Sequence, residues 1–473
     1  MHKGAARMMV GAMVLTLLLV GGLSSLSYAQ RAELPQFDGT KVTIALHAGH
    51  FEIPWRDRAE RIKELFDIEI EVVGITVSDM FDKELIELAT GTGAFDLLMF
   101  NPAWYGDFVD FLTPLDPFIE RLDPGWEDIH PGFQVWENTF AGKRYSITLD
   151  GDVFLLYYRK DLFEDPREKA AFRQRYGYEL GAPETWDQVL DIAEFFTRDT
   201  DGDGDIDLWG YADQAKRGRS FYWFLIRYFG FCGPYKNFAD PHLFDPNTMQ
   251  PLVNQPCGVQ ALENYKQAID LAPPGVLGWE WDELFNAFMK GNLAMQVHWP
   301  DEGKRVAELR SIGGDMGFGT IPGALHDGQV YRRSSTGGGW VMGLSADSRN
   351  KEAAYTVMWY MLGPEVSLSL VLDPGTGQDF YRISHFESGV SNVIVTPDYL
   401  QAYNDNIAAL YPELRIPGSF DYYDTLDRFV QEALTGRLTP KQALDRVAQE
   451  WDRITNRLGR RGQTQKYREA FSL

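Results

Sequence analysis

The hydrophobic and polar positions of this chain repeat a strand, helix, strand rhythm over the first hundred residues. Residues 41–46 (KVTIAL) read as one strand, and Ile68, Ile70 and Val72, alternating with polar neighbours, read as a second. Between them Pro54 opens a helix that sets Trp55, Ala59, Ile62 and Phe66 on one face. A second helix over 78–89 takes Ser78 as its N-cap and leads through Gly91-Thr92-Gly93 to an apolar strand at 96–100. This βαβαβ order predicts a parallel sheet with helices on both faces, in which ligands bind beyond the carboxyl ends of the strands. His47, Gly49, His50 and Phe51 follow the first strand, and Asn101-Pro102-Ala103-Trp104-Tyr105 follow the third. The histidines have no further His or Cys near them, which favours an exposed or satisfied role over metal ligation. Trp104, in a polar loop past a strand end, is a candidate ligand contact as well as a candidate core residue.

The pattern changes at 145–161 (YSITLDGDVFLLYYRKD). Its first half alternates and carries Asp150 and Asp152 around Gly151; its second half is an apolar run closed by Arg159 and Lys160. An alternating strand that feeds a buried one predicts passage from one sheet to another, with the acidic pair at the crossing; a single core strand with an Asp-Gly-Asp turn is the simpler alternative.

Beyond it, Thr185 and Gln188 form a capping box for a helix reaching about Thr197. Residues 221–229 (FYWFLIRYF) read as a buried helix in which Trp223 is a further candidate contact, and helices follow at 256–271 and 279–290. A short strand at 293–297 (LAMQV) then precedes His298-Trp299-Pro300-Asp301, again an aromatic and an acid past a strand end. Strands at 316–321 and 337–344, the latter holding Trp340, bracket an exposed turn. A helix occupies 350–361, and from Pro364 the chain is mostly helical around a Gly-rich loop at 373–379 with Tyr381 and Arg382 behind it.

The most specific local motif is Asp199-Thr200-Asp201-Gly202-Asp203-Gly204-Asp205-Ile206-Asp207. It matches the first nine positions of an EF-hand calcium loop, with oxygens at alternate positions and glycine at the sixth. Gly210 stands where the bidentate glutamate belongs, so another carboxylate or water must complete the shell. Five aspartates so close repel one another without a counter-cation, which favours structural calcium held by Asp199, Asp201, Asp203, Asp205 and Asp207 over a bare acidic turn.

Composition sets the compartment and the class of partner. His2, Lys3 and Arg7 precede an apolar run too short to span a bilayer, and Ser27-Tyr28-Ala29 supplies small residues for cleavage, so 1–29 read as a signal peptide with no lipobox cysteine. Export to the periplasm is therefore expected. There Cys232 and Cys257 read as one disulfide, with two buried thiols as the alternative. A formal net charge of −23 disfavours nucleic acid, anionic lipid and, without a local basic pocket, anionic substrates. At 473 residues the chain exceeds one hydrophobic core and predicts two sizeable domains.

Taken in order, several segments resemble the family 1 extracellular solute-binding proteins of bacterial ABC importers, the group that includes maltose-binding proteins. They are Ala89-Thr90-Gly91-Thr92-Gly93 with Asp96, Leu115-Asp116-Pro117, Tyr157-Tyr158-Arg159-Lys160-Asp161-Leu162-Phe163 and 183–186. The series continues in Phe288-Met289-Lys290-Gly291-Asn292-Leu293-Ala294-Met295, Arg349-Asn350-Lys351-Glu352-Ala353-Ala354 and Leu434-Thr435-Gly436-Arg437-Leu438-Thr439-Pro440. The resemblance implies a periplasmic-binding-protein-like type II fold, two α/β lobes joined by a multi-crossing hinge with the ligand cleft between them. The crossings would fall near 150–152, 298–301 and 343–348, giving lobe 1 from 30–150 plus 300–346 and lobe 2 from 151–299 plus 347–473. It also implies a monomer that hands a carbohydrate to membrane permease subunits, with Asp152 and Trp299 at the positions that contact sugar in the family. Ala103 stands where an acid is common in the maltose-binding members.

Sugars present hydroxyls at their edges and C–H groups on their faces, so aspartates accept hydrogen bonds while indoles stack. The candidate ligand contacts are Trp104, Asp150, Asp152, Trp223, Trp299, Asp301, Trp340, Tyr381 and Arg382. A polyol, sugar phosphate or osmolyte keeps the same fold, and the phosphate would call on Arg382 and the pair Arg332-Arg333. A secreted glycoside-processing enzyme would also combine tryptophans with paired carboxylates. The sequence, however, holds no Gly-x-Ser-x-Gly, His-Glu-x-x-His or P-loop, and a spacing of two on a strand does not set a catalytic separation.

Overall fold

The computed structural model describes residues 34–234, 243–335, 339–389 and 395–471. The expected signal peptide lies outside them. By compactness the chain forms two units, unit 1 from Met1–Met99, Phe111–Asp128 and Met342–Gln378, and unit 2 from Phe100–Asp110, Ile129–Val341 and Asp379–Leu473. Residues 150–152 and 298–301 both lie inside unit 2. No helix among the described residues is long and apolar enough to cross a membrane.

In unit 1, β1 (Thr40–His47), β2 (Ile68–Ile75) and β3 (Leu97–Phe100) run parallel in the order β2-β1-β3, as the alternation requires. The helix expected from Pro54 is instead two short pieces, Ile53–Asp57 and Ala59–Phe66. They break at Arg58, whose guanidinium turns back to the Pro54 carbonyl at 3.3 Å and to Ser369 Oγ at 3.0 Å. Helix α1 (Val77–Thr90) starts one residue early, with extended Thr76 at the N-cap position and Ser78 inside the first turn, so Ser78 is not the cap. Gly91 closes that helix in the left-handed conformation, φ +65°.

The stretch 145–161 forms two strands, β4 (Ser146–Asp150) and β5 (Leu155–Arg159), which belong to different sheets. The simpler single-strand alternative is thereby set aside. Strand β4 is buried at every position rather than at alternate ones. Its polar residues are matched from the other side: Ser146 Oγ lies 2.6 Å from Tyr105 Oη, and Thr148 Oγ1 donates to Asn138 Oδ1 at 3.0 Å and Glu137 Oε2 at 3.2 Å.

Strand β5 is central in the sheet of unit 2, with β6 (Trp209–Ala212), β7 (Leu293–His298) and β8 (Met316–Gly319) in the order β8-β5-β7-β6. β5 is antiparallel to both neighbours, pairing Leu155 with His298 and Arg159 with Met316, whereas β6 and β7 are parallel. Helix α2 (Trp186–Phe196) carries the expected capping box, Gln188 N donating to Thr185 Oγ1 at 3.2 Å. Helix α3 (Ser220–Phe231) is buried along its aromatic run and encloses Arg227. Arg227 pairs with Asp213 at 2.7 Å, both fully buried, and its guanidinium lies 4.2 Å from the Trp186 ring centre and 4.5 Å from that of Tyr265.

Cys232, just past α3, and Cys257, in the first turn of α4 (Pro256–Asp270), form a disulfide with Cα atoms 5.0 Å apart and a sequence separation of 25. Closing a loop of that length removes roughly 3 kcal/mol of unfolded-chain freedom in the chain-entropy model. Unfolding by denaturant with and without reductant is expected to show a stability loss of about that size on reduction, and equal midpoints would count against the bridge.

Candidate functional site

Strand β4 ends at Asp150, and the next four residues carry the chain to β5 in another sheet. The turn is held by a close backbone approach: a Cβ on Gly151 would overlap the Phe380 carbonyl. The Tyr403 hydroxyl locks that contact, lying 2.5 Å from the Gly151 carbonyl oxygen and 2.8 Å from that of Phe380. This brings Asp379 against Asp150, whose Oδ1 accepts the Asp379 backbone N–H at 2.6 Å. Carboxylate oxygens of Asp150, Asp152 and Asp379 lie within 4.8 Å of one another, all three residues buried.

The second contribution comes from the end of β7. Trp299-Pro300-Asp301 follows His298, and the turn is anchored from two sides, Tyr157 Oη donating to the Trp299 carbonyl at 2.8 Å and Tyr399 Oη to the Pro300 carbonyl at 2.8 Å. The short helix Pro300–Arg305 then delivers Lys304, which pairs with Asp379 Oδ1 at 3.0 Å. Burial and the neighbouring carboxylates push Asp150 and Asp152 well above the usual carboxylate range. Burial raises Asp379, against Lys304 and a hydrogen bond from Asp152, and burial with the Asp379 charge pushes Asp301 up to about 7, against Lys304 and Arg305. Lys304 is the one ammonium paired within this group among the described residues, so burial and mutual repulsion favour the protonated forms of its acids.

Aromatic rings flank the acids. Trp299 packs edge-on to Trp223 at 5.4 Å, with Phe154 at 5.2 Å from both and the Arg219 guanidinium 5.9 Å from the Trp299 ring centre. Trp223 itself is fully buried and donates its indole N–H to the Val297 carbonyl at 3.3 Å, so it backs Trp299. Trp104 and Trp340 meet edge to face at 5.9 Å, both half-buried. Gly339, beside Trp340, abuts the Asp150 carbonyl, a Cβ there lying 3.2 Å from it. Tyr381 and Arg382 are completely buried, the guanidinium 5.3 Å from the Tyr381 ring centre.

The sequence-predicted residues therefore fall into two groups. Asp150, Asp152 and Asp301 come together, Trp299 lies two residues before Asp301, and Trp340 follows Gly339, which abuts the Asp150 carbonyl; Trp104 is placed only by its contact with Trp340. Trp223, Tyr381 and Arg382 lie in the packing behind. Four participants carry no local signal: Lys304, Glu137, Tyr399 and Tyr403. Asp379 had a weak one, as the last residue of the Gly-rich loop. Behind Trp299 a further buried group joins His298 Nδ1 to Glu302 Oε2 at 3.2 Å, and burial pulls His298 down to about 3, so its imidazole is neutral.

In the acidic loop, oxygens of Asp199, Asp201 and Asp207 gather within 4.8 Å of one another. Asp199 accepts backbone N–H bonds from Gly202 at 2.6 Å and Gly204 at 2.8 Å, which wraps the loop around its carboxylate. Gly204, at the sixth position, has φ +101° with open space around it, and Gly210, at the twelfth, has none: a Cβ would overlap the Ala193 backbone. A glutamate cannot stand there, because that position belongs to β6.

Among known proteins, a probable amino-acid ABC transporter periplasmic-binding protein of Sinorhizobium fredii is 22% identical over 350 residues, 71% of this chain and 72% of that protein. A maltose-bound protein of T. maritima matches with TM-score 0.69 and 22% identity over 88% of this chain and 100% of its own. A solute-binding protein of Agrobacterium radiobacter in complex with ribitol matches with TM-score 0.70 and 22% identity over 89% and 100%. These likenesses establish the type II periplasmic-binding-protein fold. The family model described as bacterial extracellular solute-binding protein matches residues 51–367, and to that family the chain belongs.

Proposed function

We propose that this protein captures a carbohydrate or polyol outside the cytoplasm and delivers it to the membrane subunits of an ABC importer. The carrying observation is the meeting of Trp299 and Asp301 with Asp150, Asp152 and Asp379 in one buried neighbourhood. Indoles offer flat faces to the C–H side of a sugar ring, and buried carboxyl groups give strong, directional hydrogen bonds to its hydroxyls. Family membership supports the delivery step, and solved structures of the same fold hold maltose and ribitol. Lys304 is already engaged with Asp379, and Arg382 is stacked on Tyr381, which weighs against a phosphate-bearing ligand. The expected leader peptide, and with it a periplasmic location, belongs to the same reading.

Tryptophan-fluorescence titration against neutral sugars, polyols and sugar phosphates is the first experiment. Asp152→Ala and Trp299→Ala are each expected to weaken the ligand so found by about 10- to 100-fold, the size of a lost charged hydrogen bond. Unchanged affinity in both variants would place the site elsewhere.

For the acidic loop the proposed role is a structural calcium site built on Asp199, Asp201 and Asp207, with Asp203 and Asp205 adding negative charge and water filling the place of the missing glutamate. Its support is the wrapped backbone and the left-handed Gly204. Adding a chelator is expected to lower the melting temperature while leaving ligand affinity unchanged. An unaltered melting curve would count against the ion.

A further inference from the structure

The carbohydrate or polyol site carries more buried negative charge than the chain neutralises. Asp150 is 3% exposed, Asp152 9% and Asp379 1%, with Asp301 beside them, and the one ammonium among them, Lys304, is paired with Asp379. Arg305 stands near Asp301 but forms its ion pair with Glu308 at 3.1 Å. Among the described residues no Lys or Arg forms an ion pair with Asp150 or Asp152.

Glu137 supplies an independent sign of what is missing. It is 0% exposed, its Oε2 accepts from Thr148 and its Oε1 has no hydrogen-bond partner. That oxygen points to the Gly339 side of Asp150: a Cβ on Gly339 would lie 2.5 Å from it and 3.2 Å from the Asp150 carbonyl oxygen. Glu137 is close enough to raise the proton affinity of Asp152 as well. A buried acceptor with no donor, beside carboxylates that share the single ammonium of Lys304, calls for a group rich in N–H donors and positively charged. An ammonium has three donors and one charge; a sugar hydroxyl has one donor and none.

We infer that the ligand presents a protonated amine to Asp150, Asp152 and Glu137, and so is an amino-bearing sugar or polyol. This rests on the carbohydrate or polyol reading of the same site. The acidic surface assists such a ligand, because a strongly negative protein concentrates cations around itself.

The test uses the full exported chain at low salt and neutral pH, titrated calorimetrically with matched pairs. These are glucosamine and glucose, galactosamine and galactose, the glucosamine disaccharide and cellobiose, and N-methylglucamine and sorbitol. In at least one pair the amine is expected to bind about 10- to 100-fold tighter than its neutral partner. Asp152→Asn, which keeps shape and removes charge, is expected to shrink that preference to within about threefold, at an unchanged melting temperature. Glu137→Gln serves as the second variant should the first not fold.

Parity, or preference for the neutral member in every pair that binds, overturns the inference and leaves the carbohydrate reading standing. An amine preference untouched by either variant overturns the assignment to these carboxylates. If no member of the panel binds, amine or neutral, the carbohydrate reading itself fails and takes the inference with it.

Discussion

Taking several carboxylates out of water next to one another is the constraint that shapes the centre of unit 2. Each ionised acid loses hydration on burial and repels its neighbours, and the effective penalty is several kcal/mol per ion. The fold tolerates this at Asp150, Asp152, Asp301 and Asp379 only because the surrounding backbone is over-determined. Tyr403 and Tyr399 fix the two turns that carry the acids, Gly151 permits the close approach of 380, and the Asp379 N–H bonds Asp150 directly. Burying acids in this way is a poor source of stability, since an apolar filling of such space is often neutral or stabilising.

A second buried charge pair lies in the packing that supports Trp299. Arg227 and Asp213 are isolated from solvent, but here the charges balance, and Asn264, the Trp223 carbonyl and two aromatic faces take up the remaining donors of the guanidinium. Trp223 and Arg227 are one helical turn apart on α3, so fixing the arginine against the strand that ends at Ala212 also fixes Trp223. Trp223 in turn backs Trp299. The position of the indole proposed to stack on ligand is thus set by an ion pair four residues along the helix from its support.

What the sequence made legible follows the range of the interactions. Period-two and period-3.6 patterns located the parallel strands and the capping box at Thr185, because each of these is decided within a few residues, whereas the sheet change between Asp150 and Leu155 stood beside a single-strand alternative until the family resemblance favoured it. The full burial of β4 was not legible, since the partners of Ser146 and Thr148 are Tyr105, Glu137 and Asn138. The break at Arg58 likewise depends on Ser369. In the site, Asp150, Asp152, Trp299 and Asp301 announce themselves at strand ends, but Asp379 reaches Asp150 across 229 residues and Lys304 pairs from a short helix with no motif. An unpaired Glu137 looks like any surface glutamate until its burial is known.

The two ways of neutralising the acidic cluster compete for the same place. Protons shared among the carboxyl groups and a cation arriving from outside both relieve the repulsion, so each must displace the other in proportion to how fully it does so. A neutral polyhydroxylated ligand leaves the shared protons where they are and gains hydrogen bonds to them. A cationic one expels protons and gains in addition the Coulomb energy of a poorly solvated site. The Glu137 Oε1 that lacks a hydrogen-bond partner bears on this choice: a proton there turns it into a single donor toward a neighbouring acceptor, whereas an ammonium brings donors to it and to Asp150 together.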